Sequence, residues 1–285
     1  MSPASAPHPP SSPADRGPQS DPITDLDATL VAAALAGRRV GCLVHALASV
    51  SSTMDEAARL AAAGAPDGTV VLADHQTAGR GRLGRRWEAP PGTALLLSVL
   101  FRPPLPPERW PELAMAVGLG VLDALEAAPP ALPPGMAAAL KWPNDVVVGD
   151  AKLGGLLSES RPAPGGGTVI VGLGLNMRQL PDQLPPGAAS LVTLGAVPPR
   201  RDRLAAVLLA SVDDACARLL QGRSLVEEWS ARLSTLGRVV TASAATGAVT
   251  GHAVGVDRAG ALVIEDADGR RHTVLSGDVT LSALR

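Results

Sequence analysis

A long loop rich in arginine and glycine constrains the fold of this chain more than any other feature. Residues 79–87 read Gly-Arg-Gly-Arg-Leu-Gly-Arg-Arg-Trp. They follow an apolar segment at residues 68–75 and precede another at residues 93–101, and both segments predict buried strands. Connections of this length are uncommon inside a compact domain and are often binding loops. The sequence therefore predicts a binding loop mounted on a β-sheet.

The residue types of this loop suit an anionic ligand. Glycine permits close backbone approach, and guanidinium groups offer paired donors to phosphate or carboxylate oxygens. The indole of Trp87 adds a surface on which a base can stack. A solvated basic surface loop is the competing interpretation. Because the net charge is only -2 over 285 residues, the arginines are local chemistry, and a general nucleic-acid binder is disfavoured.

Length and cysteine content limit the class of protein. A chain of 285 residues has room for one larger domain and a smaller companion. Cys42 and Cys216 show neither a metal-binding spacing nor a disulfide framework, so we expect reduced core residues in a cytoplasmic protein. We find no signal peptide and no membrane span. Residues 1–22, rich in Pro, Ser and Ala, predict a disordered tail.

The hydrophobic pattern predicts an α+β fold. Helices are expected at residues 23–36, from Thr53 (capped with Glu56) to Gly64, and at about 106–128, 202–220 and 225–233. Strands are expected at residues 39–48, 68–75, 93–101, 138–142, 146–148, 152–160 and 168–176. Four further short strands, at residues 238–243, 249–256, 261–265 and 271–275, predict a small C-terminal β-barrel.

One lysine and two pairs of glycines stand out within these strands. Lys141 follows an apolar stretch, where an ammonium group is unfavourable unless an anion neutralises it, although a lysine that reaches solvent from a sheet edge is an alternative. Gly154 and Gly155 on one strand, and Gly172 and Gly174 on another, sacrifice β propensity. They predict a flat cleft against which a ligand lies, or else a β-bulge.

Together, five segments resemble the biotin–protein ligases. They are Ser52-Thr53, Gln76 through Trp87, Lys-Trp-Pro-Asn-Asp at residues 141–145, Lys-Leu-Gly-Gly-Leu-Leu at residues 152–157, and Gly172-x-Gly174-x-Asn176. The resemblance implies a central mixed β-sheet flanked by helices, like that of class II aminoacyl-tRNA synthetases, followed by an SH3-like β-barrel. It places the catalytic domain at residues 23–234 and the barrel at residues 235–285.

The resemblance also implies the reaction and the residues that perform it. Biotin and MgATP give biotinyl-5′-AMP and pyrophosphate, and biotin then passes to a lysine of a biotin carboxyl carrier domain of a biotin-dependent carboxylase. The implied catalytic residues are Lys141, Arg80 and Arg82. The implied biotin-binding residues are Ser52, Thr53, Met54, Gln76, Gly79, Arg80, Gly81, Arg82, Lys141, Gly154, Gly155 and Gly172. The implied ATP- or adenylate-binding residues are Arg82, Arg85, Trp87, Asn144, Lys152, Gly174 and Asn176. Substrate phosphates and water would hold magnesium, so we assign it no protein ligand.

Two departures and two rival functions qualify this assignment. Met54 stands where many members carry Asn. We expect no N-terminal DNA-binding domain, so the chain resembles the ligase-only class without a DNA partner, and the absence of an unbroken apolar segment predicts no membrane partner. A lipoate–protein ligase would share fold and chemistry, but the Arg-Gly loop followed by Trp87 argues against it. A non-catalytic nucleotide-binding module remains the alternative from another class. Repulsion among the arginines predicts that residues 80–86 are disordered until ligand binds.

Overall fold

A computed structural model describes residues 25–127, 132–163, 166–244, 247–275 and 277–281. The disordered tail predicted at residues 1–22 lies outside the described residues. The helices are α1 Ala28–Ala34, α2 Thr53–Ala62, α3 Pro111–Ala127, α4 Arg201–Leu220 and α5 Val226–Ala231. Within the described residues, no helix combines the length and apolar character that a bilayer crossing requires.

A mixed sheet forms the centre of the larger unit. Its strands are β1 Val44–Val50, β2 Thr69–Gln76, β3 Ala94–Phe101, β4 Ala138–Lys141, β5 Asp145–Val148, β6 Ala151–Ala163 and β7 Gly166–Asn176. Among the described residues these seven strands lie in the order β1-β2-β3-β7-β6-β5-β4. β1 and β2 are parallel and every other neighbouring pair is antiparallel. The predicted central mixed sheet is confirmed.

The two faces of the sheet bury different helices because apolar side chains alternate along its strands. Val70 and Leu72 of β2 belong to the main core, together with residues of α3 and α4, whereas Val71 packs with residues of α2. α3 and α4 approach closely at Gly120, where a Cβ atom would lie 2.7 Å from Val212 Cγ2. Helices α3 and α4 therefore cover one face of the sheet. On the other face α2 covers only part of the sheet, and a cavity lies beside it.

The C-terminal residues form a separate antiparallel sheet. Its strands are β8 Val239–Ala244, β9 Gly247–Val256, β10 Leu262–Glu265, β11 Arg271–Val274 and β12 Asp278–Leu281. In the described residues they lie in the order β11-β10-β9-β8-β12. The expected small β domain is present, but the sequence analysis missed β12, although Asp-Val-Thr-Leu at residues 278–281 alternates between polar and apolar residues. That strand matters, because it reaches the cavity described below.

Two local expectations were wrong. The first strand begins at Val44 and not near residue 39, because the chain turns at Gly41, which has a φ of 89°. The N–H of Gly41 donates to the carbonyl of Gly68, just before β2. The N-cap of α2 is Ser52 and not Thr53: the Ser52 side chain accepts from the N–H of Met54. The shift by one residue places Thr53 inside the first turn, where its hydroxyl is available for other contacts.

Candidate active site

The backbones of β6 and β7 form the floor of a cavity of about 670 Å³. Gly155 lies opposite Gly174, and Leu157 lies opposite Gly172. A Cβ on Gly174 would stand 2.4 Å from Trp87 Cε2, and one on Gly172 would stand 2.8 Å from Met54 Cγ. Carbon atoms in contact are normally about 3.5–4 Å apart. These glycines are therefore needed so that the indole and the thioether can lie directly on the sheet.

Two of the predicted glycines do not line this cavity. A Cβ on Gly154 would meet the carbonyl oxygen of Gly174 at 2.9 Å and Leu175 Cδ1 at 3.0 Å, on the core side of the sheet. Gly154 also adjoins a register shift between β5 and β6, so the β-bulge alternative describes it better than ligand contact. Gly79 is buried against the carbonyl of Trp87, where it lets the two arms of the arginine loop approach.

The polar end of the cavity is a chain of hydrogen bonds among three elements. Gln76 Oε1, at the end of β2, accepts from the Thr53 N–H at 2.7 Å and from Thr53 Oγ1 at 3.0 Å. Thr53 Oγ1 in turn accepts from Ser98 Oγ at 2.8 Å. Because the Gln76 carbonyl is occupied, its amide N–H₂ group is left to face a ligand acceptor. Sequence reasoning missed Ser98, whose one signal is a hydroxyl in an otherwise apolar strand.

Residues 79–87, which we call the arginine loop, fold into a tight hairpin. Gly81 N–H donates to the Arg85 carbonyl at 2.7 Å, and Trp87 N–H donates to the Gly79 carbonyl at 3.0 Å. Leu83 at the tip has a φ of 56°, in the left-handed region that is unfavourable for a leucine. Because of these bonds the two arms of the loop are joined, and its four arginines and Trp87 belong to one hairpin. The sequence analysis predicts that residues 80–86 become ordered only when ligand binds, and this stays a prediction.

The arginines of the loop have different partners. Arg80 Nη1 lies 2.7 Å from Glu159 Oε1, and Arg80 Nη2 lies 3.0 Å from Asp55 Oδ1. Arg82 Nη1 donates to Asn144 Oδ1 at 3.0 Å and to the carbonyl of Gly277 at 3.3 Å. Arg80 is thus tied to α2 and β6, whereas Arg82 is tied to the hairpin of β4 and β5 and to the C-terminal sheet.

The two predicted lysines also differ. Lys152 Nζ forms an ion pair with Asp145 Oδ1 at 2.6 Å and lies over Gly155. Lys141, at the end of β4, is half-buried beside the cavity, and no described residue gives its ammonium group an ion pair or hydrogen bond. An unpaired, half-buried cation at a cavity is suited to bind an anionic ligand.

Both predicted asparagines are held by the protein. Asn144 Nδ2 donates to the Leu156 carbonyl at 2.6 Å, which orients the side chain that accepts from Arg82. Asn176, which is 4% exposed, donates to the Ala189 carbonyl and accepts from Gln179 Nε2. These contacts anchor the chain that follows β7. The predicted contact of Asn176 with adenine remains a prediction.

The C-terminal sheet contributes directly to the cavity. Val279 and Thr280 of β12 line it. Trp142, which follows Lys141, donates from Nε1 to the carbonyl of Gly260 and from its backbone N–H to Thr235 Oγ1, each at 2.9 Å. The barrel therefore helps to hold the segment that carries Lys141. The sequence analysis assigned no site residue to this domain.

The cavity brings together almost the whole predicted set. Its lining includes Ser52, Thr53, Met54, Gln76, Arg80, Gly81, Arg82, Arg85, Trp87, Lys141, Asn144, Lys152, Gly155, Gly172, Gly174 and Asn176. Lining residues that the sequence analysis did not assign include Arg86, Glu88, Leu156, Leu157, Pro185 and Ala188. Trp87 Nε1 is buried and has no partner among the described residues, which leaves a donor at the floor of the cavity.

Comparisons with known proteins identify this architecture. A model of the biotin/lipoate A/B protein ligase family matches residues 46–176, and a model of the biotin protein ligase C-terminal domain matches residues 235–282. A biotin–[acetyl-CoA-carboxylase] ligase of Mycobacterium tuberculosis is 39% identical over 236 residues, covering 80% of this chain and 85% of that protein. The chain belongs to the biotin protein ligase family. A bifunctional ligase/repressor of Bacillus spizizenii is 31% identical over 239 residues, 81% of this chain and 72% of its own.

Solved biotin protein ligases share the fold. The enzyme of Aquifex aeolicus in complex with biotin and ATP has a TM-score of 0.69 and 29% identity, covering 84% of this chain and 98% of that one. The Leishmania major enzyme in complex with biotinyl-5-AMP has a TM-score of 0.54 and 26% identity, with 82% and 98% covered. The SH3-like assignment of the C-terminal domain follows from the family model there.

Proposed function

We propose that this biotin protein ligase activates biotin with ATP and transfers it to a carrier protein. In the first step a biotin carboxylate oxygen forms a bond to the α-phosphorus of ATP, the bond from that phosphorus to the bridging oxygen breaks, and pyrophosphate leaves. In the second step a lysine amine of the carrier attacks the acyl carbon, AMP leaves, and the amine loses a proton. The relatives named above as biotin ligases, and those solved with biotin and ATP or biotinyl-5-AMP, support this reaction.

One observation carries the assignment: a single cavity joins a polar end, a glycine floor and a free lysine ammonium. The Gln76 amide is the donor for the ureido carbonyl of biotin. The floor of Gly172 and Gly174 carries the Met54 thioether and the Trp87 indole, which give flat ligand rings an apolar surface to lie against. Lys141, without a carboxylate partner among the described residues, neutralises charge as the two anions approach. Binding, reaction and charge stabilisation are thus within one cavity.

The site roles follow from these positions. Lys141 and Arg82 act on the carboxylate and the phosphates, and Arg85 and Lys152 contribute further positive charge around the nucleotide. Trp87, already lying against Gly174, provides the stacking surface for the adenine or biotin ring. We assign Arg80 neither of its two expected roles, catalysis and biotin binding, because its guanidinium is held by two carboxylates. Magnesium enters with ATP as part of the substrate.

Met54, the departure from the family pattern noted in the sequence, lines the cavity. Its thioether lies on Gly172, within 3 Å of where a Cβ would stand, and it is 4% exposed. The biotin ring therefore meets an apolar contact here in place of one hydrogen bond. Ser52 and Thr53 beside it keep the polar contacts of this end.

We place the reaction in the cytoplasm, with carboxyl carrier domains as partners and without DNA binding. Both cysteines are free, but only Cys216 is the core residue that the sequence predicts, and burial raises its pKa to about 12, which keeps it a thiol; Cys42 is exposed, so that expectation was wrong for it. Free thiols suit a reducing compartment that also supplies ATP. A gel shift with purified protein tests the absence of sequence-specific DNA binding.

The decisive experiment measures pyrophosphate release with biotin or lipoate as the acid. We expect biotin-dependent release, and transfer of one biotinyl group to a carrier domain, observed by mass spectrometry. Pyrophosphate release with lipoate and not with biotin would show that the protein is a lipoate–protein ligase. Release with neither acid, despite ATP binding, would favour the non-catalytic nucleotide-binding module.

A further inference from the structure

Arg80 is held in a way that its place in an anion-binding loop does not predict. Its guanidinium meets Glu159 through both terminal nitrogens, at 2.7 and 3.3 Å, and meets Asp55 at 3.0 Å. One positive charge is thus shared by two carboxylates, which leaves the group with a formal charge of −1. Such a group repels a phosphate. We therefore consider for Arg80 a role in holding the arginine loop in place and not in binding phosphate.

The two carboxylates belong to separate elements that border the cavity. Asp55 lies in the first turn of α2, whose start carries the polar residues Ser52 and Thr53. Glu159 lies on β6, four residues after the floor glycine Gly155. Arg80 therefore bridges the polar end and the floor strand, and the arginine loop lies across the space between them.

The hairpin of the loop transmits this restraint to its other arm. The backbone bonds Gly81 to Arg85 and Trp87 to Gly79 hold the two arms together, so Trp87 moves with Arg80. The Arg80 side chain is 36% exposed, the Asp55 side chain is 50% exposed and the Glu159 side chain is 32% exposed. Water competes for ion pairs at such exposure, so the contacts are strong enough to favour closure and weak enough to release.

We propose that Asp55 and Glu159 are positioning residues that clamp the arginine loop over the cavity through Arg80, and so set how long the acyl-adenylate stays bound. This inference rests on the proposed function, because a bound adenylate must exist to be retained. A mixed anhydride is readily hydrolysed, and escaped adenylate acylates unrelated lysines, so retention matters for yield and for specificity. Neither carboxylate touches the reacting atoms.

The test uses the full-length variants Asp55→Asn, Glu159→Gln and the double variant. The amides keep size and shape but remove the charge. A matched control is Glu56→Gln, because Glu56 is on the same helix and pairs with Arg59 at 2.6 and 2.8 Å, away from the loop. Urea midpoints verify that every variant is folded.

Four measurements separate clamping from a general structural role. Enzyme loaded with labelled biotinyl-AMP is chased with unlabelled adenylate, and labelling of a bystander protein is followed in parallel. Single-turnover pyrophosphate release reports synthesis. Hydrogen exchange of residues 79–87 without ligand reports opening of the loop.

We expect each single variant to release adenylate about two- to fivefold faster and the double variant about tenfold faster, with synthesis within about twofold of wild type. Bystander labelling and hydrogen exchange of the loop should rise in the same order, and Glu56→Gln should match wild type. Because the pairs share one guanidinium, Arg80→Gln combined with Glu159→Gln should leak no faster than Arg80→Gln alone.

Equal retention and equal loop exchange in wild type and the double variant would overturn the clamp and leave the proposed function intact. A wild-type protein that makes no biotinyl-AMP would overturn both. Loss of synthesis in proportion to retention would also overturn the clamp, because it would show that the carboxylates support the site as a whole.

Discussion

Arg201 and Arg80 are each held between two carboxylates, but only one of them is sealed from water. Arg201, the first residue of α4, is 2% exposed and pairs with Asp25 at 2.6 Å and Asp74 at 2.7 Å. Arg80 is 36% exposed and pairs with Asp55 at 3.0 Å and Glu159 at 2.7 Å. In the buried cluster Asp25 also pairs with Arg178 at 2.7 Å, so two arginines balance two carboxylates there, whereas among the described residues Arg80 alone faces two carboxylates.

The difference in burial separates a permanent contact from a reversible one. Arg201 joins the segment before α1, the end of β2 and, through the carbonyl of Ala94, the start of β3. Removing one member of a buried cluster leaves an uncompensated charge, whereas water replaces a lost partner at an exposed one. Similar arginine–carboxylate clusters are therefore expected to fix the fold where they are buried and to allow release where water reaches them.

The largest expected effect comes from removing Arg201. We expect Arg201→Met to lose about 3–5 kcal/mol of unfolding free energy, because Asp74 loses the ion pair with Arg201 and Asp25 keeps only the one with Arg178. Arg80→Met, the matched change in the exposed cluster, should lose about 1 kcal/mol or less. Urea denaturation of both variants measures the difference. Similar losses in the two would show that burial does not separate the clusters.

Lys141 extends the comparison to a cation that has no carboxylate partner among the described residues. Because its charge is available to substrate, we expect Lys141→Ala to slow biotinyl-AMP formation on the order of 100-fold or more. Its unfolding free energy should stay within about 1 kcal/mol of wild type. Single-turnover pyrophosphate release and urea denaturation provide the two readings.

Arginine should not rescue this variant, because a planar fork cannot reproduce a compact ammonium group. Adenylate synthesis at a near wild-type rate by Lys141→Ala would contradict the assigned role.

Acid should weaken the buried cluster. Burial by itself raises the pKa of Asp25, but the hydrogen bond from Arg201 and the charges of Arg201 and Arg178 outweigh burial and lower it. A lowered folded-state pKa stabilises the protein above the ordinary value of 3.8, and this stabilisation is lost as the pH falls through the folded-state pKa.

We therefore expect Asp25→Asn to lose about 1–3 kcal/mol at neutral pH. The gap to wild type should close progressively below about pH 4, as the wild-type carboxyl is protonated. Urea denaturation across this pH range measures it. A gap independent of pH would mean that Asp25 acts through its shape and not its charge.

The smallest effect is expected from salt. Raising the ionic strength from about 0.1 M to about 1 M shortens the Debye length from about 10 Å to about 3 Å and screens exposed ion pairs most. Hydrogen exchange of the arginine loop should accelerate about two- to fivefold, while amides at the start of α4 change less than twofold. Equal acceleration at both places would contradict a difference based on exposure.

Sequence reasoning recovered the parts of the fold that repeat a local pattern. The strands of the larger sheet and helices α3 and α4 lie within a few residues of their predicted positions, because apolar periodicity survives in the folded chain. It failed at two places: it missed β12, although that strand alternates between polar and apolar residues, and it chose Thr53 and not Ser52 as N-cap, a choice that depends on backbone conformation.

At the site, the sequence by itself determined the chemistry: arginines and glycines at residues 79–87, a lysine at the end of an apolar strand, and glycines spaced by two. Residue type and spacing are properties of the local chain, and they remain readable without the fold.

Only the tertiary structure decided the partner of each charge. Glu159 is 79 residues from Arg80, and Asp74 is 127 residues from Arg201, so no spacing in the sequence links them. Gly277 and Thr280 approach the cavity from another domain. An ion pair depends on the distance between atoms and on the water around them, and both are set when distant segments pack together.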